Sequence, residues 1–96
     1  MSAFFIATVA IKDGAKFADY ASKFRATAAA HGGMPLLRGK VGKALAGPAS
    51  HDLAAIAAFP DMAALEAWHA SDAYQAIIPL RNQAADMTII AYEEVG

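Results

Sequence analysis

The 96 residues carry eight Lys and Arg against nine Asp and Glu, a formal net charge of −1, and 57% of them are hydrophobic. This composition excludes a disordered chain, and without a basic excess non-specific nucleic-acid binding is not expected. The sequence contains no cysteine, which excludes disulfides and thiolate chemistry and suits a reducing compartment. We expect a cytoplasmic protein of one domain, residues 1–96, small enough that association would bury further apolar surface.

The N-terminal segment from Ala3 to Ile11 is mostly apolar at both alternating sets of positions. A strand of this kind is expected where both faces of its sheet are covered. The segment lacks the basic region and cleavage site of a signal peptide, and no uncharged apolar run reaches the roughly 18 residues of a membrane span. A buried first strand is therefore predicted, and no membrane partner.

A helix is predicted next, because Asp13 is a typical N-cap and apolar residues then recur at helical spacing. The stripe comprises Phe17, Tyr20, Ala21, Phe24, Ala28 and His31. Gly32 and Gly33 end the helix. The segment from Met34 to Leu45 contains Pro and Gly residues that only an irregular edge strand tolerates.

The second half of the chain begins with a strand from Leu53 to Phe59, again apolar on both faces. Pro60-Asp61 opens a helix whose inner side is expected to carry Met62, Leu65 and Trp68, with His69 beside them. Asp72 is predicted to cap the next segment through a capping box with Gln75. Since Pro79 cannot lie deep in a helix, a helix is expected to begin near it, and residues 87–95 form the last strand.

The predicted order is β-α-β-β-α-β, the ferredoxin-like arrangement, an α+β fold with two helices on one face of a four-stranded antiparallel sheet. The helices leave the other sheet face open, although the first and third strands are apolar there too. A second copy packed sheet against sheet about a two-fold axis would cover it. We therefore expect a homodimer.

Two arginines are the main candidates for a binding site. Arg81 lies on an otherwise apolar helical stripe, and a buried arginine without a partner costs several kcal/mol, roughly, so a carboxylate of the protein or of a ligand is needed. Arg38 lies on the glycine-interrupted strand. Two guanidinium groups converging on one cleft suit a carboxylate or another small organic anion, and the alternative is two internal salt bridges.

Aromatic residues are the second group of candidates. Tyr20 and Tyr74 can add hydroxyl donors to the same cleft, although core packing is the favoured interpretation of each. Trp68 is most simply a core residue.

His31 and His69 are weak candidates for a general base. His31 is better explained as a cap at the C-terminal end of the first helix. The histidine spacings match no metal motif, so no metal is expected, and the glycines form no phosphate loop, so no nucleotide cofactor is indicated.

The whole chain resembles the small bacterial family called domain of unknown function 1330, a member of the dimeric α+β barrel group. The residues that carry the resemblance are Tyr20, Gly32-Gly33, Leu37-Arg38-Gly39, Phe59-Pro60, Ala67-Trp68, Ser71, Tyr74-Gln75 and Pro79-Leu80-Arg81. The resemblance implies the dimeric barrel fold. It also implies a pocket between the helices and the sheet, which Trp68 could line, but it implies no particular reaction.

These expectations favour a homodimeric small-molecule-binding protein without a cofactor, whose ligand is a small acidic or carbonyl-bearing organic compound. Arg38 and Arg81 would orient the ligand, and the two tyrosines would shape its site. Whether the protein is an enzyme stays open. One alternative is a cofactor-free isomerase or monooxygenase with His31 or His69 as base. Another is a structural or regulatory domain whose cleft is filled by its own side chains.

Overall fold

The structure is a computed structural model that describes residues 2–96. The elements are β1 (Ala3–Ile11), α1 (Gly14–Ala29), β2 (Met34–Lys40), β3 (Leu53–Phe59), α2 (Met62–Ala70), α3 (Asp72–Gln75), α4 (Ile78–Ala84) and β4 (Ala85–Glu93). The predicted β-α-β-β-α-β order is confirmed, with the second helical region divided into three helices. Within residues 2–96, no helix has both the length and the apolar character of a membrane span.

The four strands form one antiparallel sheet in the order β2-β3-β1-β4. β1 is therefore central, and Ala7 on it lies opposite Ala55 of β3 and Ile89 of β4. β2 is an edge strand with an irregularity between Pro35 and Leu37, as the prolines and glycines predicted. It ends earlier than predicted, at Lys40, because its ladder partner β3 begins only at Leu53.

The ends of the helices follow the side chains that the sequence supplies. The carboxylate of Asp13 accepts a hydrogen bond from the Lys16 amide at 3.0 Å, and Asp61 accepts one from the Ala64 amide at 2.7 Å. Both satisfy amides that the first turn of a helix leaves unpaired. After α1, Gly32 has φ +74, a conformation that favours glycine.

The cap predicted at Asp72 is wrong by one residue. Ser71 is the N-cap of α3, and its hydroxyl accepts from the Tyr74 amide at 3.2 Å. The capping box is absent because the side-chain Nε2 of Gln75 instead donates to the carbonyl of His69 at 2.7 Å. The helix after the break begins at Ile78, with Pro79 in its first turn, as predicted.

The core lies between the helices and the face of the sheet that carries Phe5 and Val9. Trp68 is 1% exposed, and its ring stacks on that of Phe5 with centroids 5.3 Å apart. Its indole Nε1 donates to Thr27 Oγ1 at 3.1 Å, so the polar atom of the buried ring is satisfied. The expectation that Trp68 is a core residue is confirmed.

The other face of the sheet is open and also apolar. Phe4 and Ile6 of β1 lie on it, each half-buried, opposite residues of β4 that point the same way. Exposed apolar side chains on this face include Leu37 at 72%, Met34 at 63%, Ile90 at 49% and Tyr92 at 40% of their full areas. Both alternating sets of β1 are apolar, as predicted, but only one of them is covered by helices.

Candidate functional site

A cavity of about 650 Å³ lies between α1 and the helix-facing side of the sheet. Its size is within the range of roughly 300–1,000 Å³ that is usual for small-molecule pockets. Phe17, Tyr20 and Phe24 of α1 line one side, while Ala7 and Ala55 line the other. The void exists because two alanines stand opposite each other at the centre of the sheet, where larger side chains would reach the helix. We call it the large cavity.

Tyr20 is connected to Tyr74 and Arg81 by hydrogen bonds. The two tyrosine hydroxyls are 2.8 Å apart, and Arg81 Nη1 donates to the Tyr74 hydroxyl at 3.1 Å. A guanidinium only donates, so Tyr74 accepts from Arg81 and can pass its own hydrogen to Tyr20. In that orientation the Tyr20 hydrogen is left at the end of the chain and is available to a third oxygen.

The two tyrosines are buried, and burial has a consequence for their chemistry. Burial raises the pKa of Tyr20 well above its ordinary value, because the phenolate would lose its hydration; Tyr74 acts in the same direction and Arg81 opposes it. Tyr20 is therefore a neutral hydroxyl throughout the physiological range. It can donate a hydrogen bond to a ligand but does not supply a negative charge.

A second, smaller cavity of about 450 Å³ lies beside α2 and α4. Trp68, Glu66, His69 and Arg81 line it, so it contains a carboxylate, an imidazole and a guanidinium in one space. We call it the small cavity. The two cavities share three lining residues, Phe5, Met87 and Ile89, and these side chains lie between them.

The two arginines do not converge on one cleft, which corrects the prediction. Arg38 lines the large cavity and Arg81 lines the small one. The reason is the strand order, since Arg38 is on the edge strand β2 whereas Arg81 precedes β4 at the opposite edge. Among residues 2–96, neither arginine forms an ion pair with a carboxylate.

The histidines occupy different places. His69 is exposed rather than inward, but its ring packs beside Tyr74, with centroids 5.6 Å apart, and it lines the small cavity. His31 lies two residues beyond the end of α1 and lines neither cavity. His51 is also away from both, with Nε2 3.4 Å from a carboxylate oxygen of Asp86. Residues 2–96 contain no cluster of three or more side chains suited to a metal ion.

Three lining residues were not found by sequence reasoning. Arg25 and Lys40 line the large cavity together with Arg38, and Glu66 lines the small cavity. The sequence of β3, from Leu53 to Phe59, does indicate a cavity: it reads LAAIAAF, and its alanines leave space on both faces of the strand. Arg25 follows Phe24 on the lining side of α1, but no pattern in the sequence distinguishes it from a solvent-exposed residue.

Comparison with known proteins identifies the family. Residues 2–95 match the family model described as Domain of unknown function (DUF1330). The chain belongs to this family. The sequence resemblance is thereby confirmed over nearly its full length. No curated protein matches this DUF1330 chain.

Solved structures share its fold at low sequence identity. A protein of unknown function from Rhodopseudomonas palustris has a TM-score of 0.83 and 20% identity, covering 99% of this chain and 83% of that one. SnoaB from Streptomyces nogalater, a cofactor-independent oxygenase, has a TM-score of 0.72 and 11% identity, covering 99% and 94%. A dimeric ferredoxin-like protein of unknown function from Thermobifida fusca has a TM-score of 0.65 and 16% identity, covering 98% and 92%. The ferredoxin-like fold of the DUF1330 chain is confirmed.

Proposed function

We propose that this DUF1330 protein binds a small acidic or carbonyl-bearing organic molecule in the large cavity. The observation that carries the proposal is an open cavity lined by a buried tyrosine whose hydroxyl is held by a guanidinium-anchored hydrogen-bond chain. Arg81 polarises Tyr74, and Tyr74 in turn strengthens Tyr20 as a donor, because such chains are cooperative at low local dielectric. A ligand oxygen is the acceptor that this arrangement suits.

The alternative of a purely structural domain required a cleft filled by the protein's own side chains and two internally paired arginines. The cavity has a volume of about 650 Å³ in the described chain, and residues 2–96 provide neither Arg38 nor Arg81 with a carboxylate partner. Both observations favour a ligand. In this proposal Arg38 contacts the ligand at the large cavity, whereas Arg81 acts only indirectly, through Tyr74 and Tyr20.

We propose further that the protein acts as a homodimer, with the open sheet face buried between the copies. The face of Phe4 and Ile6 is the one available, because Phe5, Ala7 and Val9 are already covered by helices. A contiguous apolar patch of this kind on a small protein commonly marks an interface. A structural neighbour described as dimeric supports a dimer of this chain.

The experiment that tests ligand binding is a thermal-shift screen against small carboxylates and neutral carbonyl compounds. A ligand that binds only the folded state raises the melting temperature. Compounds that stabilise the wild type but not Tyr20→Phe would support the proposed donor. A screen in which no acidic or carbonyl compound shifts the melting temperature would contradict the function.

A cofactor-free enzyme is the second candidate, because His69 and Arg81 line the same small cavity. His69 would act as the general base, and the oxygenase among the structural neighbours makes cofactor-free chemistry a relevant comparison. A base that removes a proton next to a carbonyl catalyses its exchange with deuterium. Exchange in D₂O, followed by NMR with small ketones and aldehydes, should then be lost in His69→Gln. Equal exchange in both proteins would contradict this role.

A further inference from the structure

The large cavity has a second property, which concerns its charged residues. Every charged residue that lines it is a cation: Arg25 on α1, and Arg38 and Lys40 on β2. The chain as a whole has a net charge of −1, so a cavity lined by three cations and no carboxylate is not the result of a generally basic surface. All three are exposed, which places them at the rim.

The register explains why the two β2 cations belong to this cavity. Arg38 pairs with Ala55, and Ala55 pairs with Ala7; Lys40 pairs with Leu53, which pairs with Val9. Ala7 and Val9 are buried beneath the helices, so Arg38 and Lys40 lie in rows on the helix-facing side. Within the described residues 2–96, none of the three rim cations pairs with a carboxylate.

The interior of the same cavity is apolar. Phe17 and Phe24 line it from α1, and Leu53, Met87 and Ile89 line it from the sheet. Tyr20 is the polar group beneath α1. An apolar interior that ends at a cationic rim is complementary to a molecule with a hydrocarbon body and one anionic head.

We infer that the ligand class of the large cavity is an amphipathic anion, a medium-chain or aromatic carboxylate whose body enters between α1 and the sheet. This inference rests on the proposed function and specifies the ligand. The head lies at Arg25, Arg38 and Lys40. The arrangement selects against short polar acids, which fill little of the cavity, and against neutral or cationic molecules of the same length, which gain nothing from the rim.

Isothermal titration calorimetry with three matched probes tests the inference: decanoate, 1-decanol and butyrate, each below its aggregation concentration. Each buried methylene tightens binding roughly fourfold, so butyrate should bind at least about a hundredfold more weakly than decanoate. Arg38→Gln and Lys40→Gln should each weaken the affinity for decanoate by about two- to fivefold, as expected for exposed ion pairs. Neither change should alter the affinity for decanol. Lys43→Gln is the matched control, because Lys43 is an exposed cation that lines neither cavity.

The outcomes separate this inference from the proposed function. If decanol binds as tightly as decanoate, or if the rim variants behave like Lys43→Gln, the anionic head is wrong. If butyrate binds as tightly as decanoate, the proposed apolar body of the ligand is wrong. If none of the three probes binds while a different acidic or carbonyl compound raises the melting temperature, the inference fails and the proposed function stands. Failure of every such compound overturns both.

Discussion

The two faces of β1 have nearly the same composition but different surroundings. Phe5 and Val9 face the helices and are buried, whereas Phe4 and Ile6, their immediate neighbours, face outward and keep part of their surface exposed. On the covered face the packing is incomplete, because Ala7 and Ala55 leave the large cavity. The two proposed roles, ligand binding on the covered face and association on the open one, therefore both depend on the apolar character of this one strand.

The largest effect is expected on the open face. Ile6→Asp should dissociate the proposed dimer and destabilise the fold by several kcal/mol, roughly, since a buried unpaired charge is costly against a marginal total stability. Sedimentation and urea unfolding measure the two effects. Ala18→Asp on the exposed surface of α1 is the control and should leave both unchanged. If the wild type sediments as a stable monomer at micromolar concentration, the open face is not a dimer interface and this prediction is wrong.

The next effect is expected in the core of the covered face. Trp68→Ala should lower the free energy of unfolding by about 3–5 kcal/mol, because it removes a ring that packs against Phe5 and Phe59. Glu66→Ala, on the exposed side of the same helix, should change it by less than about 0.5 kcal/mol. A loss below about 1 kcal/mol for Trp68→Ala would mean that the residue serves a pocket rather than the core.

A smaller effect is expected at Arg81. Arg81→Lys keeps the charge but loses the planar guanidinium that donates to Tyr74, so binding of a ligand whose oxygen accepts from Tyr20 should weaken roughly fivefold, about the value of one hydrogen bond. The melting temperature without ligand should change little. A purely structural role of the hydrogen bond from Arg81 to Tyr74 would give the opposite pattern: a lower melting temperature with or without ligand, and no response of either protein to such ligands.

The smallest effect concerns Tyr20 and pH. Burial raises the pKa of Tyr20 in the folded protein above the unfolded value of about 10. Above about pH 10 only the unfolded chain ionises at this residue, so the free energy of unfolding falls as the pH rises. Below that pH the contribution of Tyr20 to stability is complete. Between pH 8.5 and 10.5, the stability of the wild type should therefore fall more steeply than that of Tyr20→Phe, by less than about 1 kcal/mol. Parallel curves from urea unfolding would show that Tyr20 is not shielded from water.

Local patterns predicted the fold well, because they act over a few residues. Asp13 and Asp61 cap their helices as their positions indicate, and the alternation in β1 identifies a strand with two apolar faces. The capping box failed because Ser71 and Asp72 are both good N-cap residues, and tertiary packing decides between them.

The site was less predictable because it depends on the register and on side-chain volume. The predicted cleft shared by Arg81 and Arg38 is wrong because the ferredoxin-like strand order places β2 and β4 three strand spacings apart, roughly 14 Å. The cavity depends on Ala7 meeting Ala55 beneath Phe17, which is set by the pairing of distant strands. Sequence spacing alone carries no information about that coincidence.

A crystal structure of the protein grown with decanoate tests most directly whether the covered face binds a ligand and the open face contacts a second copy. We predict a second copy against Phe4 and Ile6, and ligand density between α1 and the sheet with its carboxylate near Arg38. A partner whose own side chains fill the large cavity, or a ligand bound on the open sheet face, would contradict it.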